Sequence, residues 1–167
     1  MASEPEVGQG GITVGIFLAF VANNNTDRLL ASYSGNGKNW ESSKQVGGQL
    51  SKLAPAISFF PIQSRIYALA YVADNATNTL LTSYALEAGG WSPNTEVQGQ
   101  SSKAAPALAV FDNKLWIVFV AKNNSNELLV CSSSDGQNWS SSTQVQQSSK
   151  AAPAIFGLDR AIPSPMT

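Results

Sequence analysis

The side chains able to do chemistry fall into those without a pattern and those that return at fixed intervals. There is no histidine, which removes the commonest general base, the Ser-His triads and most metal-ligand sets. The carboxylates Asp27, Asp74, Glu96, Asp112 and Glu127 all stand in turns or at strand ends. A solvated acid is the ordinary occupant of such positions, not one half of a catalytic pair. Cys131, the single cysteine, lies in the run LLVCSSS and reads as a small half-buried strand residue with no disulfide partner in the chain. The expectation is no catalytic residue, no metal, no cofactor and no enzyme.

What does return is polar. Asn24, Asn75 and Asn123 sit in the words NNNT, DNAT and KNNS, and Lys52, Lys103 and Lys150 close the words QLSK, QSSK and QSSK. Asparagine, serine and threonine cap turns by bonding their own backbone, which explains such words without any ligand. A face of repeated amides, hydroxyls and ammonium groups is also what a weak multivalent sugar site uses, because each hydroxyl is met by a donor and an acceptor. Tyr33 and Tyr84 are the aromatic candidates to stack on an apolar sugar face. The expected ligand-binding set is Lys52, Lys103, Lys150, Asn24, Asn75, Asn123, Tyr33 and Tyr84. N-x-S/T words begin at Asn24, Asn75, Asn123 and Asn138, and these matter only in a chain secreted from a eukaryotic cell.

The elements that must position these residues form a repeat. SKLAPAISFF, SSKAAPALAVF and SSKAAPAIFGL are versions of one phrase. Their lysines are spaced 51 and 47 residues apart, and Trp40, Trp91 and Trp139 keep nearly the same beat. In the third unit four apolar or alternating runs, Ala107–Phe111, Leu115–Ala121, Leu128–Ser132 and Thr143–Gln146, are divided by the turn words DNK, NNSNE and SDGQN. They read as four antiparallel strands, A to D. Pro55, Pro106 and Pro153 open the A strands, where a missing N–H breaks no ladder bond. Four-stranded units at this period predict an all-β fold, a β-propeller with three blades per chain near residues 11–48, 54–99 and 105–147 and a closing strand at 151–158. A strand order of A-down, B-up, C-down, D-up puts the B–C and D–A loops, and so the asparagines and lysines, on one face.

At the third C–D turn the run Ser132-Ser133-Ser134-Asp135-Gly136-Gln137-Asn138-Trp139 resembles the Asp-box (BNR) hairpin of the sialidase superfamily, Ser-x-Asp-x-Gly-x-Thr-Trp. Ser132, Gly136 and Trp139 are in register, while Ser134 stands for the aspartate and Asn138 for the threonine. The first unit keeps Gly37 and Trp40, the second Trp91. The resemblance implies a propeller whose Asp-box turns are structural, so the three tryptophans are packing residues. It does not bring a sialidase site, because Arg28, Arg65 and Arg160 occupy unlike positions in the repeat. The chain is also similar to small repeat lectins that assemble rings from few-bladed chains. The resulting expectation is a non-enzymatic carbohydrate-binding protein. The alternatives are a protein-interaction propeller without a sugar site and a fragment of a larger sialidase-like protein.

A formal net charge of −1 with no Lys/Arg run excludes the basic field that nucleic acid requires. Gly11–Ala22, GITVGIFLAFVA, is too short to span a bilayer, and Glu4 and Glu6 precede it in place of a basic n-region. It reads as a buried B strand, because Phe20-Val21-Ala22 aligns with Tyr71-Val72-Ala73 and Phe119-Val120-Ala121. No signal peptide is recognised, which leaves cytoplasmic and secreted-after-processing compartments both open. The expected partners are glycans or glycoproteins, with no membrane insertion. A second copy is expected as well, because three blades do not close a ring for which four to eight are typical. The A strand at 152–158 would then complete the blade that begins at Gly11–Ala22 in another copy, giving a homodimer of six blades.

Overall fold

The computed structural model describes residues 15–62, 65–86 and 89–158, which form β-strands and loops with no helix. A degenerate strand expected near Pro5–Gln9, the start of the run from Gly11, and Arg160 lie outside the described residues. Three antiparallel sheets follow one another in chain order. The first holds β1 (Ile16–Val21), β2 (Arg28–Ser34) and β3 (Lys44–Leu50). The second holds β4 (Ala56–Ile62), β5 (Arg65–Val72), β6 (Thr79–Leu86) and β7 (Thr95–Ser101), and the third β8 (Ala107–Phe111), β9 (Lys114–Val120), β10 (Glu127–Ser133) and β11 (Thr143–Ser148). Every strand pairs with its sequence neighbour, so each sheet is a plain meander built from hairpins.

The local chemistry accounts for the boundaries. Pro55 and Pro106 stand immediately before β4 and β8, where no ladder N–H is needed. Asp112 and Asn113, both at positive φ (51° and 53°), make the two-residue turn between β8 and β9, a conformation that short polar side chains tolerate. Each outer strand carries an irregularity that its run of residues does not announce. The register slips between Arg28 and Leu30, between Thr79 and Leu81, and between Glu127 and Leu129. Opposite these points Gly47, Gln98 and Gln146 adopt positive φ. A bulge of this kind twists an edge strand away from flat pairing with another chain.

Alternation along the strands sends side chains to both faces, and the sheets use both. Ala68, Ala70, Val72, Leu80 and Tyr84 of the second sheet pack with Leu115, Ile117, Phe119, Cys131 and Trp139 of the third unit. On its other face Leu69 and Tyr71 pack with Leu29 and Val46 of the first sheet, joined by Ala19, Val21 and Trp91. The second sheet is thus the middle layer of three. Burial pushes the Cys131 thiol up to about 11, in keeping with an inert packing residue.

The closing strand expected at residues 151–158 has no partner strand among the described residues. Residues 152–158 belong to no strand, because in the other units the equivalent A strand pairs with the B strand that follows it. The segment nevertheless alternates: Pro153, Ile155 and Gly157 are half-buried while Ala154, Phe156 and Leu158 are exposed. At Gly157 the approach is so close that an added Cβ would meet the Val110 carbonyl of β8.

Candidate functional site

The three recurring asparagines occupy matching places at the start of the loops between β1 and β2, β5 and β6, and β9 and β10. In each, the side-chain carbonyl folds back on its own loop. Asn24 Oδ1 accepts from Thr26 Oγ1, Asn75 Oδ1 from Thr77 Oγ1 (2.9 Å) and the Thr79 N–H (3.2 Å), and Asn123 Oδ1 from the Ser125 N–H (3.1 Å) and Ser125 Oγ (2.6 Å). This is the local turn chemistry by which Asx side chains replace a backbone acceptor. Asn126 and Asn78, at φ of 56° and 53°, complete the reversals in the third and second loops.

The lysines join neighbouring units. Lys52 Nζ lies 2.9 Å from Asp74 Oδ1, and this hydrogen bond and charge raise the Lys52 ammonium above its ordinary value. Lys103 Nζ donates to the Asn123 carbonyl one unit further on, and Lys122 Nζ donates back to the Ala76 carbonyl. Lys150, the third of the series, is exposed, with no hydrogen bond or ion pair among the described residues. The asparagine and lysine rows do share one end of the sheets, as the strand directions require.

The tyrosines do not join them. Both sit about five residues along the C strand from that end, roughly 17 Å at the usual rise per strand residue. Tyr84 is a correction to the expected set: its ring is buried, and its hydroxyl donates to the Gly136 carbonyl in the next unit. A phenol with one apolar body and one wet end buries well once its hydroxyl finds a partner. Tyr33 is half-buried in a ring cluster, 4.8 Å from Phe17, which in turn contacts Tyr67. The turn that Tyr84 braces also assigns its polar roles one position later than the sequence alignment did. Ser133 Oγ accepts from the Gly136 N–H, and Asp135 Oδ1 accepts from the N–H groups of Gln137 and Asn138 at 2.8 Å each. These bonds, the Asn138 backbone N–H first among them, hold the Asp135 carboxyl far below the usual carboxylate range. Ser34 and Asn36 repeat the arrangement in the first unit.

A concavity of about 490 Å³ opens at the same end as the asparagines and lysines, lined by Ser125, Glu127, Gln144, Gln146, Gln147 and Ser148. Two amides position its one carboxylate: Gln144 Nε2 lies 3.2 Å from Glu127 Oε1, and Asn123 Nδ2 lies 3.4 Å from Glu127 Oε2. The arrangement presents donors and acceptors side by side without an apolar wall, which suits a ligand made of hydroxyl groups. No cluster of three His, Cys, Asp or Glu suited to a metal ion occurs among the described residues. Glu127 was visible in the sequence only as an acid at a strand end. Its meeting with Gln144 depends on the register across β10 and β11, and the single signal for the groove was the all-polar run TQVQQS, broken only by Val145.

No family model and no curated protein matches the chain. Among solved structures it is similar to the exo-beta-1,3-galactanase Pc1,3Gal43A of Phanerochaete chrysosporium, determined with galactose. The TM-score is 0.54 at 12% identity, over 76% of this chain and 31% of that one. The chain therefore spans about a third of that protein's length, and what the two share is the fold. This finding corrects the expectation that the chain is not an enzyme: its fold is one that an enzyme uses. The described residues contain no helix long and apolar enough to cross a membrane.

Proposed function

We propose that this protein binds carbohydrate at the loop end of its sheets, through the groove around Glu127. The observation that carries the reading is the pair of amides that hold Glu127 within a concavity lined by polar residues, next to the turn capped by Asn123. A carboxylate fixed by two amides accepts from sugar hydroxyls without paying again for its own ordering, and Gln146, Gln147 and Ser148 supply further donors and acceptors around it. The shared fold of a galactanase solved with galactose supports a galactose-containing ligand as the first to try. Weak single sites suit repetition: a second copy of the chain would bring a second Glu127 groove into the same assembly and act by avidity.

The test is a glycan array on the intact chain, followed by calorimetric titration with galactose and β-1,3-linked galactan oligomers. Binding that falls at least tenfold in Glu127→Ala and Gln144→Ala, with an unchanged circular dichroism spectrum, is the expected result. Binding unaffected by either substitution assigns the site elsewhere. The same oligomers, checked afterwards for released galactose, report whether the bound sugar is also cut.

A further inference from the structure

We infer that a second copy of this chain covers the first sheet, with residues 154–158 of one copy entering as the missing inner strand beside β1 of the other. Three independent features of the repeat point to this. The first is the ladder. The second and third sheets have four strands and the first has three, and among the described residues no strand pairs with the outer edge of β1. Residues 154–158 match β4 and β8 in sequence, approach β8 at Gly157 and Val110 as β8 in turn lies against β4, and belong to no ladder among the described residues. An edge with open N–H and C=O groups and a spare extended segment are complementary.

The second is the face behind that edge. Leu69 and Ile117 are each 0% exposed, yet Leu18, at the same place in the first unit, is 45% exposed. Phe119 and Tyr71 are buried where Phe20 is only half-buried, and Trp139 is 3% exposed where Trp40 is 43%. In each case the later copies face the preceding sheet, and among the described residues no sheet precedes the first unit. Phe156, 85% exposed, is the matching surplus at the other end.

The third is the lysine row. Lys52 and Lys103 each reach the B–C loop of the following unit. Lys150 would make the same contact with the loop at Asn23 and Asn24 of the second copy. The Asp74 and Lys122 N–H groups donate to the Leu50 and Ser101 carbonyls across successive units, so the Ser148 carbonyl would accept from the second copy's Asn23 N–H.

The register follows from the two ladders that exist. Ala56 pairs with Ala70 and Ala107 with Val118, so Ala154 pairs with Ala19 and Ile155 with Leu18 of the other copy. Made twice, once at each junction, the contact gives six sheets under a twofold axis, within the range typical of propellers.

Light scattering with size exclusion on the 167-residue chain should give 35.2 kDa, twice 17.6 kDa, at all concentrations in the micromolar range. A 17.6 kDa monomer overturns the inference, and so does a mass that grows past 35.2 kDa, twice 17.6 kDa, as the concentration rises, the mark of an open chain of copies. The register is read by oxidising Ala19→Cys/Ala154→Cys, whose Cα atoms would face each other within disulfide range. A covalent dimer on a non-reducing gel is expected, with none from the slipped pair Phe20→Cys/Ala154→Cys. A dimer cross-linked only by the slipped pair, or by neither, overturns the strand insertion. Phe156→Asp should return the mass to 17.6 kDa with an unchanged far-ultraviolet dichroism spectrum. Each readout is independent of sugar binding.

Discussion

Gly136 shows how much one position can carry. Its φ is +72°, and a Cβ there would stand 2.6 Å from the Tyr84 hydroxyl oxygen. Gly136→Ala should therefore combine backbone strain with a clash and cost about 1–3 kcal/mol, read as a fall in denaturant midpoint. Tyr84→Phe keeps the ring but leaves the Gly136 carbonyl without that donor, and a loss of about 0.5–1.5 kcal/mol is expected. Asp135 adds a pH dependence to the same turn. Its carboxyl titrates far lower when folded than the usual unfolded value near 4. Its contribution is therefore full above the unfolded value and is lost as the pH falls toward the folded one. Asp135→Asn should be less stable than the parent at pH 7, and the gap should narrow at about pH 2 when melting curves are compared.

At the scale of elements, the sheets are joined by small polar residues in the D–A links. Ser102 is buried, and its Oγ lies 2.7 Å from the Ala104 carbonyl and 3.0 Å from the Val120 carbonyl of β9. Ser51 is the equivalent residue of the preceding unit, with Oγ 2.8 Å from the Leu53 carbonyl. Ser102→Ala should leave a buried acceptor unmet and cost about 1–3 kcal/mol in equilibrium unfolding. Lys103→Ala at the exposed end of the same link should cost under about 1 kcal/mol, because a solvated ammonium gains little from one contact. A serine in the word QSSK thus braces the fold, while the lysine beside it sits at the surface.

For the whole molecule, the three-layer stack explains why equivalent residues differ in cost. Trp139→Ala empties a site between the second sheet and the third unit and should lose about 3–5 kcal/mol. Trp40 stands on the uncovered face of the first sheet, so Trp40→Ala should act mainly on assembly. Light scattering would then show a larger monomer fraction at the same concentration. A dimer made through strand insertion also predicts a melting midpoint that rises with protein concentration, since dissociation is linked to unfolding. A midpoint that stays fixed over a hundredfold dilution would speak against it.

The all-β class, the strand runs, the turns and the threefold repeat were legible in the sequence, because period-two alternation, Gly/Asn/Asp turn words and recurring phrases depend on neighbours along the chain. The packing role of Trp139 was legible for the same reason, as a member of a recurring hairpin. The bulges in β3, β7 and β11 were not, since a slip in register leaves no mark in composition. Nor was the burial of Tyr84: Tyr33 and Tyr84 hold the same place in the repeat, yet Tyr33 is half-buried in a ring cluster with Phe17 while Tyr84 is buried against the Gly136 turn of the following unit. The groove around Glu127 required the pairing of β10 with β11 to bring Gln144 across. Residues 152–158 read as a strand by sequence and lack one in the fold because a strand is a relation between two segments. The tertiary structure decides whether the second segment is there.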